Sequence, residues 1–107
     1  MDSHLTSVGD GKVLFEPGPA MDPTDCEGEI KETLAFLREQ RASLLYYDMG
    51  KVMFIDNVYY KWLLMLHDAC SIFGARMIAV NVIPTAACSL SNILDSDPPF
   101  SCAQEIK

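Results

Sequence analysis

Few side chains in this 107-residue chain have a chemical vocabulary, and they are scattered. His67 and Cys70 stand three residues apart, a spacing that puts a base and a thiol on one side of a helix. Such a pair is the minimum for an activated thiol or for half a metal site. The remaining histidine is His4, distant in the chain, so no ligand set gathers around them. Asp68 adjoins His67, but neighbours in a helix do not face each other. Asp48 and Asp56 form a second candidate pair, two carboxylates at the ends of apolar runs, as hydrolytic acid–base chemistry requires. Neither a flanking base nor a Gly-rich phosphate loop accompanies them, and G-x-S-x-G, P-loop and G-x-G-x-x-G patterns do not occur. The reading is therefore of a chain that is no enzyme and uses no metal or cofactor. Attention moves to the polar step Asp56-Asn57 inside the most apolar region.

The elements around that step explain its importance. Apolar runs at Leu44 to Met49 and Val52 to Asp56 read as strands, or as one strand interrupted by Gly50. Asn57 to Phe73 follows as a long helix, then Gly74-Ala75, a strand over Arg76 to Val82, and Ile83-Pro84. Strands joined through a helix of this length make a crossover unit with a parallel, buried pair. Asp56-Asn57 then lies where strand hands over to helix, a position at which α/β proteins face a partner or a phosphate.

The long helix has two stripes. Trp62, Leu66, Ala69 and Phe73 share the core side, while Tyr60, Leu64, His67 and Ser71 lie roughly 160° away at about 100° per residue. Tyr60 and Leu64 are unusual for a solvent face, so the second stripe is read as a contact surface.

Elsewhere, His4 to Val8 and Lys12 to Glu16 flank Gly9-Asp10-Gly11 as a hairpin, and Pro17-Gly18-Pro19 stops the second strand. Asp22 is a candidate N-cap with Pro23 at the first helical position. Glu27 to Arg41 is helical, with Ile30, Leu34 and Leu37 inward and Thr33 between them. Thr85 to Ile93 is a short helix with Ala86, Leu90 and Ile93 inward, ended by Asp97-Pro98-Pro99. Phe100 to Ile106 suits either a last strand or a terminal helix.

Composition limits the partners. Half the residues are apolar and 21% are charged, as in a globular domain, and residues 1–107 are read as one. A net charge of −7 argues against nucleic acid and against an anionic membrane surface. Cys26, Cys70, Cys88 and Cys102 form no C-x-x-C pair, which favours free thiols in a reducing compartment. The N-terminus lacks the pattern of a signal peptide, and the apolar stretch Trp62 to Ile72 is interrupted and too short to span a bilayer. The expected setting is cytoplasmic, without membrane insertion.

Taken in order, these elements resemble the STAS domain, the family of anti-sigma-factor antagonists and stressosome scaffold proteins. The resemblance rests on Phe54-Ile55-Asp56-Asn57 and on the run from Gly74-Ala75 through Ile83-Pro84-Thr85 to Leu90, and is best over residues 44–90. It implies an α/β domain with a mixed sheet of four to five strands and helices mainly on one face. It also implies protein partners, either a switch kinase or homologous STAS proteins, and a homodimer or larger assembly. In such proteins a Ser or Thr just after the Asp is phosphorylated at the helix start, where the backbone N–H groups and the macrodipole tolerate the charge. Here Asn57 and Val58 occupy those positions, and neither accepts phosphate. Asn57 either imitates one fixed state or caps the helix. Ser89 matches a second acceptor found in some scaffold members and is the candidate phosphosite. The expected docking surface is Asp56, Asn57 and Tyr60, extended by Leu64 and His67. An accessory STAS subunit of a lipid- or anion-transport assembly is the alternative.

Overall fold

The computed structural model describes residues 3–19, 21–94 and 98–103. Its strands are β1 (His4–Gly9), β2 (Lys12–Glu16), β3 (Leu44–Asp48), β4 (Arg76–Val80) and β5 (Ser101–Ala103), and its helices are α1 (Glu27–Glu39), α2 (Asn57–Phe73) and α3 (Pro84–Ile93). The strands form one five-stranded sheet in chain order. β1 is antiparallel to β2, whereas each later neighbour is parallel and reached through a helix. The mixed sheet anticipated from the sequence is the one observed, and Ser101–Ala103 resolves the tail in favour of a strand. Residues 104–106 of that tail, and Asp97 of the expected stop, lie outside the described residues.

Sheet register explains why the helices share one face. Val13, Leu45 and Met77 stand abreast across β2, β3 and β4, with Phe15, Tyr47 and Ala79 as the next row. All are at most 1% exposed. They join a single core with Leu37 of α1, Trp62, Leu63 and Leu66 of α2, and Ala86 and Leu90 of α3. Of the residues of alternate parity, which point to the other face, Leu14 and Ile78 are half-buried while Tyr46 between them is buried.

At the centre of the core, Phe15 stacks on Tyr47 with ring centroids 4.9 Å apart, and Trp62 closes edge-on against Tyr47 at 6.4 Å. Trp62 Nε1–H donates to the Tyr47 hydroxyl over 2.8 Å, and that hydroxyl lies 2.6 Å from the hydroxyl of Tyr59. Two polar groups thereby enter the interior with their hydrogen bonds made.

Local chemistry decides the element ends. Gly9, Asp10 and Gly11 take φ of 88°, 54° and 73°, which explains the Gly-Asp-Gly link of the hairpin. Asp56 N-caps α2, its Oδ1 accepting from Tyr59 N–H at 2.8 Å. Gly74 ends the helix at φ 105°, and the Ala75 N–H returns to the Cys70 carbonyl at 2.8 Å.

Several expectations are corrected. Val52 to Ile55 is not a strand. The Met49 N–H bonds to the Val80 carbonyl at 2.8 Å, and the chain then turns, with Val52 N–H bonding to the Met49 carbonyl at 3.0 Å. Asp22 caps no helix: its Oδ1 accepts from the Thr24 N–H at 2.9 Å and the Thr24 hydroxyl at 2.6 Å, closing a local turn. α1 begins at Glu27 after Cys26, which makes no side-chain cap. It ends at Glu39 and not at Arg41, because Arg41 adopts φ 52° while Ala42 N–H bonds back to the Leu37 carbonyl at 2.9 Å. β4 stops at Val80, before the expected Val82, because Asn81 turns left-handed at φ 58°.

Replacing Tyr47 with Phe keeps the stack but leaves the Trp62 N–H without its acceptor inside the core. Tyr47→Phe is expected to lower unfolding stability by about 1–3 kcal/mol. Tyr59→Phe leaves the buried Tyr47 hydroxyl without its Tyr59 partner and should cost a comparable amount. Urea denaturation of both variants checks this, and a neutral Tyr47→Phe would contradict the bond.

Candidate functional site

The turn between β3 and α2, residues 49–56, is pinned at both ends. At its start, Asp48 Oδ1 accepts from Gly50 N–H at 2.8 Å and from Asn81 Nδ2 at 3.1 Å, tying the ends of β3 and β4 together. A Cβ on Gly50 would meet Asp48 Oδ1 at 3.0 Å, so the close approach suits a glycine. At its end, Ile55 is buried, and its N–H donates to Ser89 Oγ at 2.8 Å. The Ser89 hydroxyl donates in turn to the Ala86 carbonyl at 2.8 Å. The next residue is the cap, Asp56.

Between these anchors the turn shows apolar side chains to solvent. Phe54 is 69% exposed and Met53 56% exposed. Val58, in the first turn of α2, is also exposed, and Met65 and Ile72 repeat it at heptad spacing along the same side of the helix. The sequence reading took Met53 and Phe54 for strand residues. The signal for a loop was Gly50-Lys51, two residues beyond a strand already of ordinary length.

The expected docking residues divide. Asp56 and Asn57 are exposed, Asp56 as the cap and Asn57 as the first helical residue. The capping role offered for Asn57 thus belongs to Asp56. Tyr60, Leu64 and His67 are half-buried, and Tyr60 and Leu64 pack against the core. Phe100 lies against the stripe, its ring 6.3 Å from Tyr60 and 6.2 Å from His67. Much of the second stripe therefore seats the segment entering β5. Ser89 is half-buried with its hydroxyl both donating and accepting.

The catalytic alternatives find little support in the geometry. Cys70 is fully buried, and burial pushes its thiol up to about 12, away from the thiolate a nucleophile needs. His67 Nδ1 has no hydrogen-bond partner among the described residues, so no thiol–imidazole bond is seen there. Asp48 and Asp56 each serve the local backbone. No cluster of three metal-ligating side chains occurs among the described residues, and none of their helices is long and apolar enough to cross a membrane. Cys26 and Cys70 are buried and Cys88 and Cys102 exposed, all as free thiols.

No protein-family model matches the chain, and no curated protein does. Among solved structures, a serine-to-glutamate variant of RsbS from Moorella thermoacetica aligns with a TM-score of 0.75 at 13% identity, covering 99% of this chain and 89% of its own. The described residues thus have a STAS-like fold, and at that identity the likeness speaks to the fold alone.

Two measurements bear on the site. Ser89→Ala removes the acceptor of the Ile55 N–H, with an expected cost of about 1–2 kcal/mol. Amide exchange at Ile55 should accelerate selectively, and unchanged protection would remove Ser89 as the anchor. The buried thiol gives a pH dependence. Cys70 in the folded chain holds its proton to about 12, against an ordinary value of 9.0, while the unfolded chain releases it earlier. That stabilisation is complete below pH 9.0 and is lost as pH rises through about 12. Tyr59, raised by burial from 10.0 to about 12, acts in the same direction. Urea midpoints should fall across this alkaline range, while at neutral pH a thiol reagent should label Cys88 and Cys102 well before Cys70.

Proposed function

We propose that the chain is a non-enzymatic protein-interaction module of a bacterial signalling system, acting in the cytoplasm as a stressosome-type scaffold or anti-sigma-factor antagonist. The observation that carries this reading is the turn before α2, which is anchored at both ends yet presents Met53 and Phe54 to solvent beside the exposed Val58 of α2. An exposed apolar group on a preorganised turn loses little conformational entropy on docking, and large apolar side chains supply most of the energy of an interface. Asp56 and Asn57 are exposed beside that surface, and the exposed parts of Tyr60, Leu64 and His67, on another side of α2, would extend it. The partner is a switch kinase or a homologous STAS protein, and the STAS-like fold supports this class of partner.

Asn57 and Val58 stand where the family carries its acceptor hydroxyl, so docking here is not reversed by phosphate at the helix start. Ser89 is the remaining candidate acceptor. Phosphate on its oxygen would replace the proton given to the Ala86 carbonyl and add bulk beside the Ile55 N–H, so modification would disturb the turn itself.

Incubation with a stressosome-type switch kinase and ATP should label neither position 57 nor position 58, whereas Asn57→Ser should gain label at residue 57. Label on the parent chain anywhere but Ser89 would overturn the site assignment. The double variant Phe54→Lys with Val58→Lys should keep its circular dichroism spectrum and lose about tenfold or more in affinity for the kinase or STAS partner. Unaltered affinity would discard this surface.

A further inference from the structure

A pocket of about 330 Å³ opens between the loop after β2 and the turn before α2. Its apolar wall includes Pro17, Met21, Val52 and Phe54, and Lys51 and Tyr59 are its polar members. The volume is at the small end of the range of about 300–1,000 Å³ that ligand sites occupy.

The direction of the internal hydrogen bonds determines what Tyr59 offers. The indole nitrogen of Trp62 can only donate, so the Tyr47 oxygen is the acceptor in that bond. Tyr47 is fully buried, and its own proton has one described oxygen within reach, that of Tyr59. The chain of donation therefore runs from Trp62 to Tyr47 to Tyr59. It ends at a Tyr59 proton that no described group accepts. Burial keeps this phenol protonated, raising it to about 12.

Lys51 supplies the other polar function of the wall, a single positive charge in a chain of net charge −7. The polar side chains of the wall are thus one cation and one neutral donor, with no carboxylate among them. Among the lining side chains a cationic ligand finds no counter-charge, although the Glu29 carboxylate acts on Tyr47 behind Tyr59, and an uncharged alcohol leaves Lys51 without a partner in the pocket. A ligand with an apolar body and one carboxylate satisfies both donors and fills the apolar wall.

We infer that the pocket bounded by Pro17, Met21, Val52 and Phe54 binds a small amphiphilic carboxylate, its head held by Lys51 and Tyr59 and its apolar body against Val52 and Phe54. Binding in this pocket does not rest on the proposed docking function, although the pocket shares Phe54 with that surface, and its test needs no protein partner. Because Phe54 belongs both to this wall and to the exposed turn, a bound ligand touches the docking surface from behind.

The experiment is a titration of the ¹⁵N-labelled chain followed through its amide resonances, with octanoate, octylammonium and octanol as probes. Octanoate should produce saturable shifts at Gly18, Met21, Lys51, Val52 and Phe54. Octylammonium and octanol should bind about tenfold more weakly or not at all, the worth of one charge-assisted bond. Lys51→Gln, a change on an exposed side chain, should lower octanoate affinity by a similar factor and abolish the preference over octanol. Tyr59→Phe should weaken octanoate several-fold with Lys51 intact. Equal binding of octanoate and octylammonium would overturn the assignment. So would shifts that never saturate, or that map to Val58, Met65 and Ile72 in place of the pocket.

Discussion

The Tyr47 hydroxyl is the point on which the arrangement of this molecule turns. It lies in a dry interior, where an unsatisfied polar group costs about 1–3 kcal/mol. Trp62 supplies a proton and Tyr59 an oxygen, both from α2. Two residues three apart on that helix must therefore straddle one atom of β3, which fixes the rotation and the axial position of α2 on the sheet. The stack of Phe15 on Tyr47 extends the constraint to β2. Apolar burial alone would hold α2 to the sheet with some freedom to slide, and the directional bonds restrict that freedom.

Once α2 is set in this way, the turn that feeds it has little choice. Its length is bounded by the end of β3, locked to β4 through Asp48 and Asn81, and by the cap at Asp56. Ile55 must bury where α3 meets the turn, and the Ser89 hydroxyl receives its N–H there. With both ends fixed and Met49, Val52 and Ile55 packed inward, Met53 and Phe54 have no interior to enter. Their exposure follows from the anchoring of their neighbours. It is not the looseness of an untethered loop.

The same logic explains which parts of the fold were legible in the residues. α2 was readable because Asp56 at its start, Gly74 at its end and a core stripe between them agree, three local signals with one outcome. β3 and β4 were readable as apolar runs of strand length on either side of it. Val52 to Ile55 misled because an apolar run carries no mark of whether a neighbouring strand exists for it to pair with, and here β4 already ends at Val80. The second stripe on α2 was rightly seen as too apolar for open solvent. Its main occupant, Phe100, lies in a segment whose conformation the local sequence left undecided. Asp22-Pro23 carried a sound cap signal, but Thr24 offered Asp22 two nearer donors. Tertiary pairing and competition between local hydrogen bonds are the two effects that a linear reading underestimates.

The helix start also bears on whether docking would be reversible. An α-helix leaves its first backbone N–H groups unpaired, together a partial positive charge that attracts an anion. In this chain a carboxylate is built in at that place: Asp56 accepts from Tyr59 N–H beside the first turn. A phosphate arriving at residue 57 or 58 would share the site with that carboxylate, and neither Asn57 nor Val58 carries a hydroxyl to receive it. The charge at this end of α2 is then the same before and after any kinase acts on the helix start. Such a surface has one electrostatic state, and a partner that recognises it would be released by another event. Ser89 is one such lever, because its oxygen holds the turn; occupation of the pocket behind Phe54 is a second. Both would act on the shape of the turn, and each would also bring negative charge to it, the phosphate beside the Ile55 N–H and the ligand's carboxylate beside Lys51.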